Sequence, residues 1–193
     1  MNAAPASARN DKPAVVAAAM RVLAESGLPG LSMRRIADEL DVQVSALYWH
    51  FPNKQALLAA VSAQIVGSGS VPDEMDAAAR ALRDRLLAHQ DGAEIVSSSL
   101  ALGLLELPAR AELVAAARRA GLTDAAAEVA ADTIVHYVIG YTFHEQQRLH
   151  AAVVGAADAS VDLVPDAARE RRDDFDAGLA MIVAGVQVSV AVS

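Results

Sequence analysis

Apolar residues recur along this chain at helical spacing, not in strand-like alternation. Val16, Ala19, Met20 and Leu23 follow Asp11, Lys12 and Pro13 at i, i+3, i+4 and i+7, which predicts a first helix that Gly27 ends. Met33, Ile36, Ala37 and Leu40 repeat the pattern after Ser32, whose hydroxyl can cap a second helix. Asp41 and Val42 leave only a brief turn. Val44, Leu47 and Phe51 then mark the core face of a third helix, with Gln43, Ser45, Ala46, Tyr48 and His50 on its other faces. Pro52 stops that helix. Asn53 caps a fourth, over about 53–66, with Leu57, Leu58, Val61 and Ile65 inward.

GSGSVP, residues 67–72, is the clearest punctuation in the chain and predicts a domain boundary. Beyond it the pattern predicts a helix over 73–90 with Met75, Leu82, Leu86 and Leu87 inward. Short helical pieces through 97–99 to 107 follow, then a helix over 108–120 closed by Gly121. Thr123 can cap a long helix reaching about residue 150. Residues 151–164 read as a loop, and Pro165 opens a last helix to about 188. No run of alternating residues bounded by hairpin turns occurs. The expected fold is all-α: a flexible arm over 1–10, a three-helix helix-turn-helix domain within 11–66, and a second helical domain over 67–193.

The stretch 31–54, LSMRRIADELDVQVSALYWHFPNK, carries the most chemistry. Two helices joined by so short a turn fit a helix-turn-helix, whose second helix enters the DNA major groove. A small helical hairpin needs Leu47 and Phe51 for its core. It does not need Tyr48, Trp49, His50 and Lys54 crowded at one end, in a chain whose aromatics are 4% of its residues.

Net charge, −8, looks wrong for a DNA binder, but its distribution changes the picture. Residues 1–60 hold six basic and five acidic side chains, a net of +1, so the remainder carries −9. Phosphate contact depends on local positive charge. The absence of Cys removes disulfides and thiolate metal sites and suits a reducing cytoplasm. There is no apolar run long enough to span a membrane. MNAAPASARN lacks a basic start followed by an apolar run, so an arm is expected there, not a signal peptide.

LYWHFPNKQALL, together with the first helix at 12–26 and GLPGLSMRRIADEL, resembles the DNA-binding domain of the TetR family of bacterial transcriptional regulators. LLAHQDGAEIV, HYVIGY from His136 and FDAGLAMIVAGV carry a weaker resemblance to the tetracycline-repressor branch. The resemblance implies a cytoplasmic regulator, most commonly a repressor, that binds a palindromic operator in double-stranded DNA as a homodimer and is released by a small molecule. It implies that the second domain binds the ligand and that the fourth helix is the lever between the domains. It also implies a four-helix bundle between two subunits, through helices near 123–150 and 165–188. The stripes Ala130, Ile134, Val138, Tyr141 and Phe175, Leu179, Ile182, Val186 are candidates for that contact, with Gly140 and Gly185 permitting close approach. The same stripes can also pack within one subunit.

Arg34 is the candidate for a bidentate base contact. Gln43, Val44, Ser45 and Ala46 lead the recognition helix into the groove, Val44 and Ala46 making apolar contacts. Tyr48, His50 and Lys54 are expected on phosphates, and Trp49 either flanks the backbone or packs. In the second domain His136 matches a polar position near the tetracycline repressor's ligand. The resemblance otherwise fails there: Val96 stands where a metal-binding His is found, His144 where a metal-associated carboxylate is, and Ala78 and Leu82 where drug contacts are. A magnesium–tetracycline ligand does not fit, and no cofactor or metal is expected. The candidate ligand residues are Leu82, Val96, Ser97, Ser98, Ser99, His136, Tyr137, Tyr141 and His144, around a largely apolar effector.

Enzyme chemistry has little to stand on. There is no nucleophile elbow and no phosphate-cradling glycine loop. The acidic clusters at 73–76 and 173–176 are read as solvated helix positions, the first of them in an expected first turn, where carboxylates favour the helix dipole. A helix-turn-helix regulator controlled by a protein partner instead of a ligand is the other alternative.

Overall fold

The computed structural model describes residues 11–67, 69–153, 155 and 165–192, with the side chains of the last helix described over 168–188. Among these residues all regular structure is helical: α1 (Lys12–Gly30), α2 (Met33–Leu40), α3 (Val44–Tyr48), α4 (Lys54–Val66), α5 (Met75–Leu87), α6 (Gly92–Ala101), α7 (Pro108–Arg119), α8 (Asp124–Val153) and α9 (Pro165–Val192). The arm expected over 1–10 and most of the loop expected over 151–164 lie outside the described residues. Residues 151–153 continue α8.

Two compact units divide the chain: Met1–Ser68 with Ala88–Glu106, and Gly69–Leu87 with Leu107–Ser193. In the first, α1 packs on α2 and α4, α2 on α3, and α4 on α6. Its core is Val15, Ala18, Ala19, Val22, Leu23, Ile36, Ala37, Leu47, Leu57, Val61 and Ile65. The buried stripe of α1 is therefore rotated from the expected one. Val16 and Met20 are only half-buried, and Val15 and Val22 take the inner positions. Gly27, at φ 64°, breaks α1 in the left-handed region that glycine tolerates. A Cβ there would also lie 2.7 Å from a carboxylate oxygen of Asp91. That oxygen accepts from the Leu28 backbone N–H at 2.7 Å.

Helix α6 is one continuous helix where the serine run suggested short pieces. Serine is a mediocre helix former, but burial overrides propensity here. Ile95, Val96 and Ser99 are inside the first unit, and Ser62 of α4 donates to the Ile95 carbonyl at 3.1 Å and bonds Ser99 at 2.8 Å. Residues 88–106, expected to belong wholly to the second domain, thus cluster with the first.

The second unit is built around α8, which packs on α5, α7 and α9. Ala127, Ala131, Ile134, Val138, Leu82, Leu86, Leu113, Phe175 and Leu179 fill its core. Most of the stripe residues proposed for self-association are spent here, inside one subunit. Ala130, Ile134, Val138, Phe175, Leu179 and Val186 are all buried, while Ile182 and Tyr141 are half-buried. Long helices carry more than one apolar face, and packing within the unit claims the most continuous one. Among the described residues the large apolar side chains exposed on α8 and α9 are Val129, 67% exposed, and Met181, 76% exposed, with Val153 and Val188. The unit also buries a charge cluster. Arg83 donates to Glu145 at 2.7 Å, and Arg171 lies 3.5 Å from the same carboxylate. The guanidinium of Arg83 stacks on Phe175, 4.9 Å from the ring centre.

Candidate nucleic-acid interface

The turn between α2 and α3 is closed by Asp41 in the left-handed conformation, φ 56°, which Asp and Asn adopt more readily than other side chains. Its N–H and that of Val42 return to the carbonyls of Asp38 and Ala37. Ser32 caps α2 by accepting from Arg35 N–H, and Asn53 caps α4 by accepting from Ala56 N–H at 2.8 Å. Leu47 and Phe51 are buried, as expected, and they anchor α3, only five residues long, against the core. The expected third helix thus ends before Phe51, and one anchor within it and one just past its end set its rotation, and therefore which residues face outward.

Those outward residues are the candidate DNA contacts. Gln43 and Ser45 are exposed, and Val44 and Ala46 are half-buried, so part of Val44 serves the core. Tyr48 is 50% exposed and Trp49 is 89% exposed. Of the two roles open to Trp49, packing within its own unit is the one the geometry removes. His50 and Lys54 are half-buried. His50 lines an apolar groove of about 970 Å³ with Val16, Met20 and Phe51.

The arginines nearby separate into two kinds. Arg21 donates to Glu39 at 2.8 Å, and Arg35 lies 3.7 Å from Glu25. Both are exposed pairs that orient side chains more than they stabilise the fold. Arg34, between them on α2, is exposed and has no ion pair or hydrogen bond among the described residues, and Lys54 has none either. An unpaired guanidinium keeps its full fork of donors for a base edge or a phosphate.

The candidate ligand residues do not form a single set. Val96 and Ser99 are buried in the first unit, and Ser99 is hydrogen-bonded to Ser62, while Ser97 and Ser98 are exposed. Leu82 is core in the second unit. His136 is exposed, its Nδ1 2.7 Å from the Asp132 carbonyl oxygen, and His144 is exposed. Tyr137 and Tyr141 do come together. Both rings pack on Phe175, with centres 5.3 and 5.4 Å away, and their hydroxyls donate to the backbone carbonyls of Phe175 and Arg171. Burial pushes both phenols above the usual tyrosine range. Among the described residues no group of three His, Asp or Glu side chains can hold a metal ion.

Missing from the sequence-derived candidates are Glu145, Arg148, Arg171 and Asp174, which line a cavity of about 380 Å³ with Tyr141 and His144. The spacing of Tyr141, His144, Glu145 and Arg148 at i, i+3, i+4 and i+7 was the available signal. Among the described residues no helix is long and apolar enough to cross a membrane.

A capped helical hairpin on a three-helix core, with an exposed aromatic and unpaired basic edge, defines a helix-turn-helix DNA-binding protein. Residues 15–61 match the family model for bacterial regulatory proteins of the tetR family, and residues 66–169 match the tetracyclin repressor-like C-terminal domain. The chain belongs to the TetR family of DNA-binding transcriptional regulators, which are not enzymes. It is 32% identical over 197 residues to the tetracycline repressor protein class A from transposon 1721 of Escherichia coli, covering 89% of this chain and 88% of that one. The crystal structure of Mycobacterium smegmatis BioQ is similar at a TM-score of 0.78 and 40% identity, over 92% of this chain and 98% of that one. BioQ crystallised with its natural double-stranded DNA operator is similar at a TM-score of 0.75 and 39% identity, over 91% and 97% of the two chains.

Proposed function

We propose that this regulator is a cytoplasmic repressor that binds a palindromic operator as a homodimer and leaves it when a small molecule binds the second domain. The observation that carries the DNA-reading half is the contrast around Arg34: its neighbours Arg21 and Arg35 are paired, whereas Arg34 is exposed with every donor available. In this reading Arg34 reads a base edge, and Gln43, Val44, Ser45 and Ala46 enter the groove. Tyr48, Trp49, His50 and Lys54 engage the sugar–phosphate backbone and set the register.

Two similar proteins support the reading in different ways. BioQ has been crystallised on an operator, and the class A relative is called a repressor. Dimerisation draws support from the surface of α8 and α9. Leu122, Val129, Met181, Ile182 and Val186 line an open apolar groove of about 670 Å³, and a Cβ on Gly140 would meet nothing. A two-fold dimer doubles a small reading head over two half-sites.

A mobility shift on the DNA upstream of the protein's own gene, repeated with a panel of small molecules, tests the proposal. Expected are a shift at nanomolar to micromolar protein that weakens steeply with salt, and its loss with at least one compound. Binding that no compound relieves would favour control by a protein partner. The absence of a shift on any upstream fragment would defeat the operator reading.

A further inference from the structure

Helix α1 carries a second apolar face that its own unit leaves uncovered. Val16 and Met20, which the periodicity places in the core, are half-buried, and Ala17 beside them is exposed. These three form one wall of the groove of about 970 Å³, and Ala56, Ala60 and Ala63 of α4 form the other. The alanines stand four and three residues apart, on one side of α4, and none has the bulk to fill the space in front of it. From Ala56 to Gly67, at the end of the lining, the trough runs roughly 16 Å at the helical rise. Among the described residues only Lys12, His50 and Gln64 bring polar side chains to it. A continuous apolar surface open to water marks an interaction site, and this volume lies in the range of small-molecule sites.

The polar groups are unevenly spread. Lys12 Nζ lies 5.9 Å from the Phe51 ring centre, so the start of α1 meets the turn that leads into α4, next to His50. Gln64 is toward the Gly67 end. Lys12 is exposed, and it is the one charged side chain among the described residues of the lining. Asp11, its chain neighbour, is outside the lining, and its carboxylate caps α1 by accepting from Ala14 N–H at 2.9 Å. No acid among the described residues lines the trough. A long carbon-walled trough with a cation at one end suits an extended alkyl chain of about twelve carbons ending in one carboxylate.

We propose that the groove between α1 and α4 binds a long-chain carboxylate, with its alkyl chain along Met20 and the α4 alanines and its carboxylate at Lys12. This is a second ligand site, in the reading head itself and separate from the effector site of the second domain. His50 belongs both to the lining and to the residues assigned to operator phosphates. On that reading a seated carboxylate competes with DNA for the same edge.

Dodecanoate, hexanoate and dodecyltrimethylammonium are titrated into the intact protein, isotope-labelled at its methionine methyls and followed by NMR. Met20 is the one methionine of the lining, whereas Met75 and Met181 belong to the second unit. Dodecanoate should move the Met20 signal and saturate below about 1 mM. Hexanoate should bind at least about tenfold more weakly, because half of the apolar chain is missing. The cation should bind at least about threefold more weakly than dodecanoate, although the chain's net charge of −8 attracts it. Lys12→Gln should erase the preference for acid over cation and keep the preference for the longer chain. Ala60→Phe, which fills the trough, should weaken dodecanoate about tenfold or more. The two contrasts at Met20 in the parent protein decide the matter even where a variant fails to fold.

An unmoved Met20 signal overturns the proposal, as does equal binding of the two acids or of acid and cation. So does a Met20 signal that moves with protein concentration alone, which would give the groove to a second copy. A parallel mobility shift separates the two readings. Operator binding that survives saturation at Met20 rejects the phosphate role of His50 and leaves the groove site standing. Operator release without movement of Met20 rejects the groove site and leaves the repressor standing.

Discussion

Arginine is used in opposite ways in the two units. In the first, the cations proposed to touch DNA are the ones left alone: among the described residues Arg34 and Lys54 have no ion pair or hydrogen bond, while Arg21 and Arg35 are paired with acids. In the second, arginine mostly serves the fold. Arg80 bridges Asp76 and Asp176, Arg110 bridges Glu128 and Asp132, and Arg83 and Arg171 enclose a buried Glu145. The same residue type is therefore a recognition group or a strut according to whether an acid lies within reach. Arg148, which has no ion pair or hydrogen bond among the described residues, stands out within the strut-rich unit for that reason.

Breaking the buried cluster should have the largest effect. Glu145→Ala leaves Arg83 and Arg171 buried beside each other with no carboxylate between them. A loss of about 3–5 kcal/mol in urea-monitored stability is expected, because removing one partner strands buried charge. A loss under about 1 kcal/mol would mean that water reaches the cluster and that the contrast between units is one of degree only.

Arg34→Ala sharpens the other side of the comparison. Stability should change by less than about 0.5 kcal/mol, since the side chain is exposed and unpaired. Discrimination at one operator base pair should fall by about 1–3 kcal/mol, read by competition among single-base operator variants. Uniform weakening across all variants would move Arg34 from base to phosphate. Lys54→Ala should do just that: affinity drops alike for every sequence, and the slope of log affinity against log salt falls by about one.

The smallest effect belongs to the surface network. The Arg110 guanidinium holds the Asp132 carboxyl below its ordinary range, chiefly by hydrogen bonding. A depressed carboxylate contributes stability above its unfolded pKa, and that stability is lost as pH falls through the lower folded value. Asp132→Asn should therefore cost about 0.5 kcal/mol at pH 7 and progressively less in acid, because the pair is half-exposed and screened. An equal loss at pH 7 and pH 2 would point to packing instead.

Much of the reading head was legible in the chain because its determinants are local. Ser32 and Asn53 cap the helices they precede, Asp41 closes the turn, and Leu47 and Phe51 are buried where their spacing puts them. Helix α6 was less legible. Ser97 to Ser99 weaken the local helical signal, and contact with Ser62 and the burial of Ile95, Val96 and Ser99 favour the helix instead. The self-association stripes were legible only in part for a related reason: most of their residues are buried within one subunit while Ile182 and Val186 also line the open groove, and periodicity finds apolar faces but cannot say which face another helix of the same chain has already taken.

By itself the sequence determined the all-helical architecture, the groove-reading hairpin and the family, because caps, turns and a compact motif are encoded within a few residues of one another. Tertiary structure alone decided which cations are free. Arg21 finds Glu39 eighteen positions away, and Arg83 finds Glu145 sixty-two positions away. Pairing depends on distance through space, so whether an arginine reads a partner or braces a core is settled only once the chain has folded.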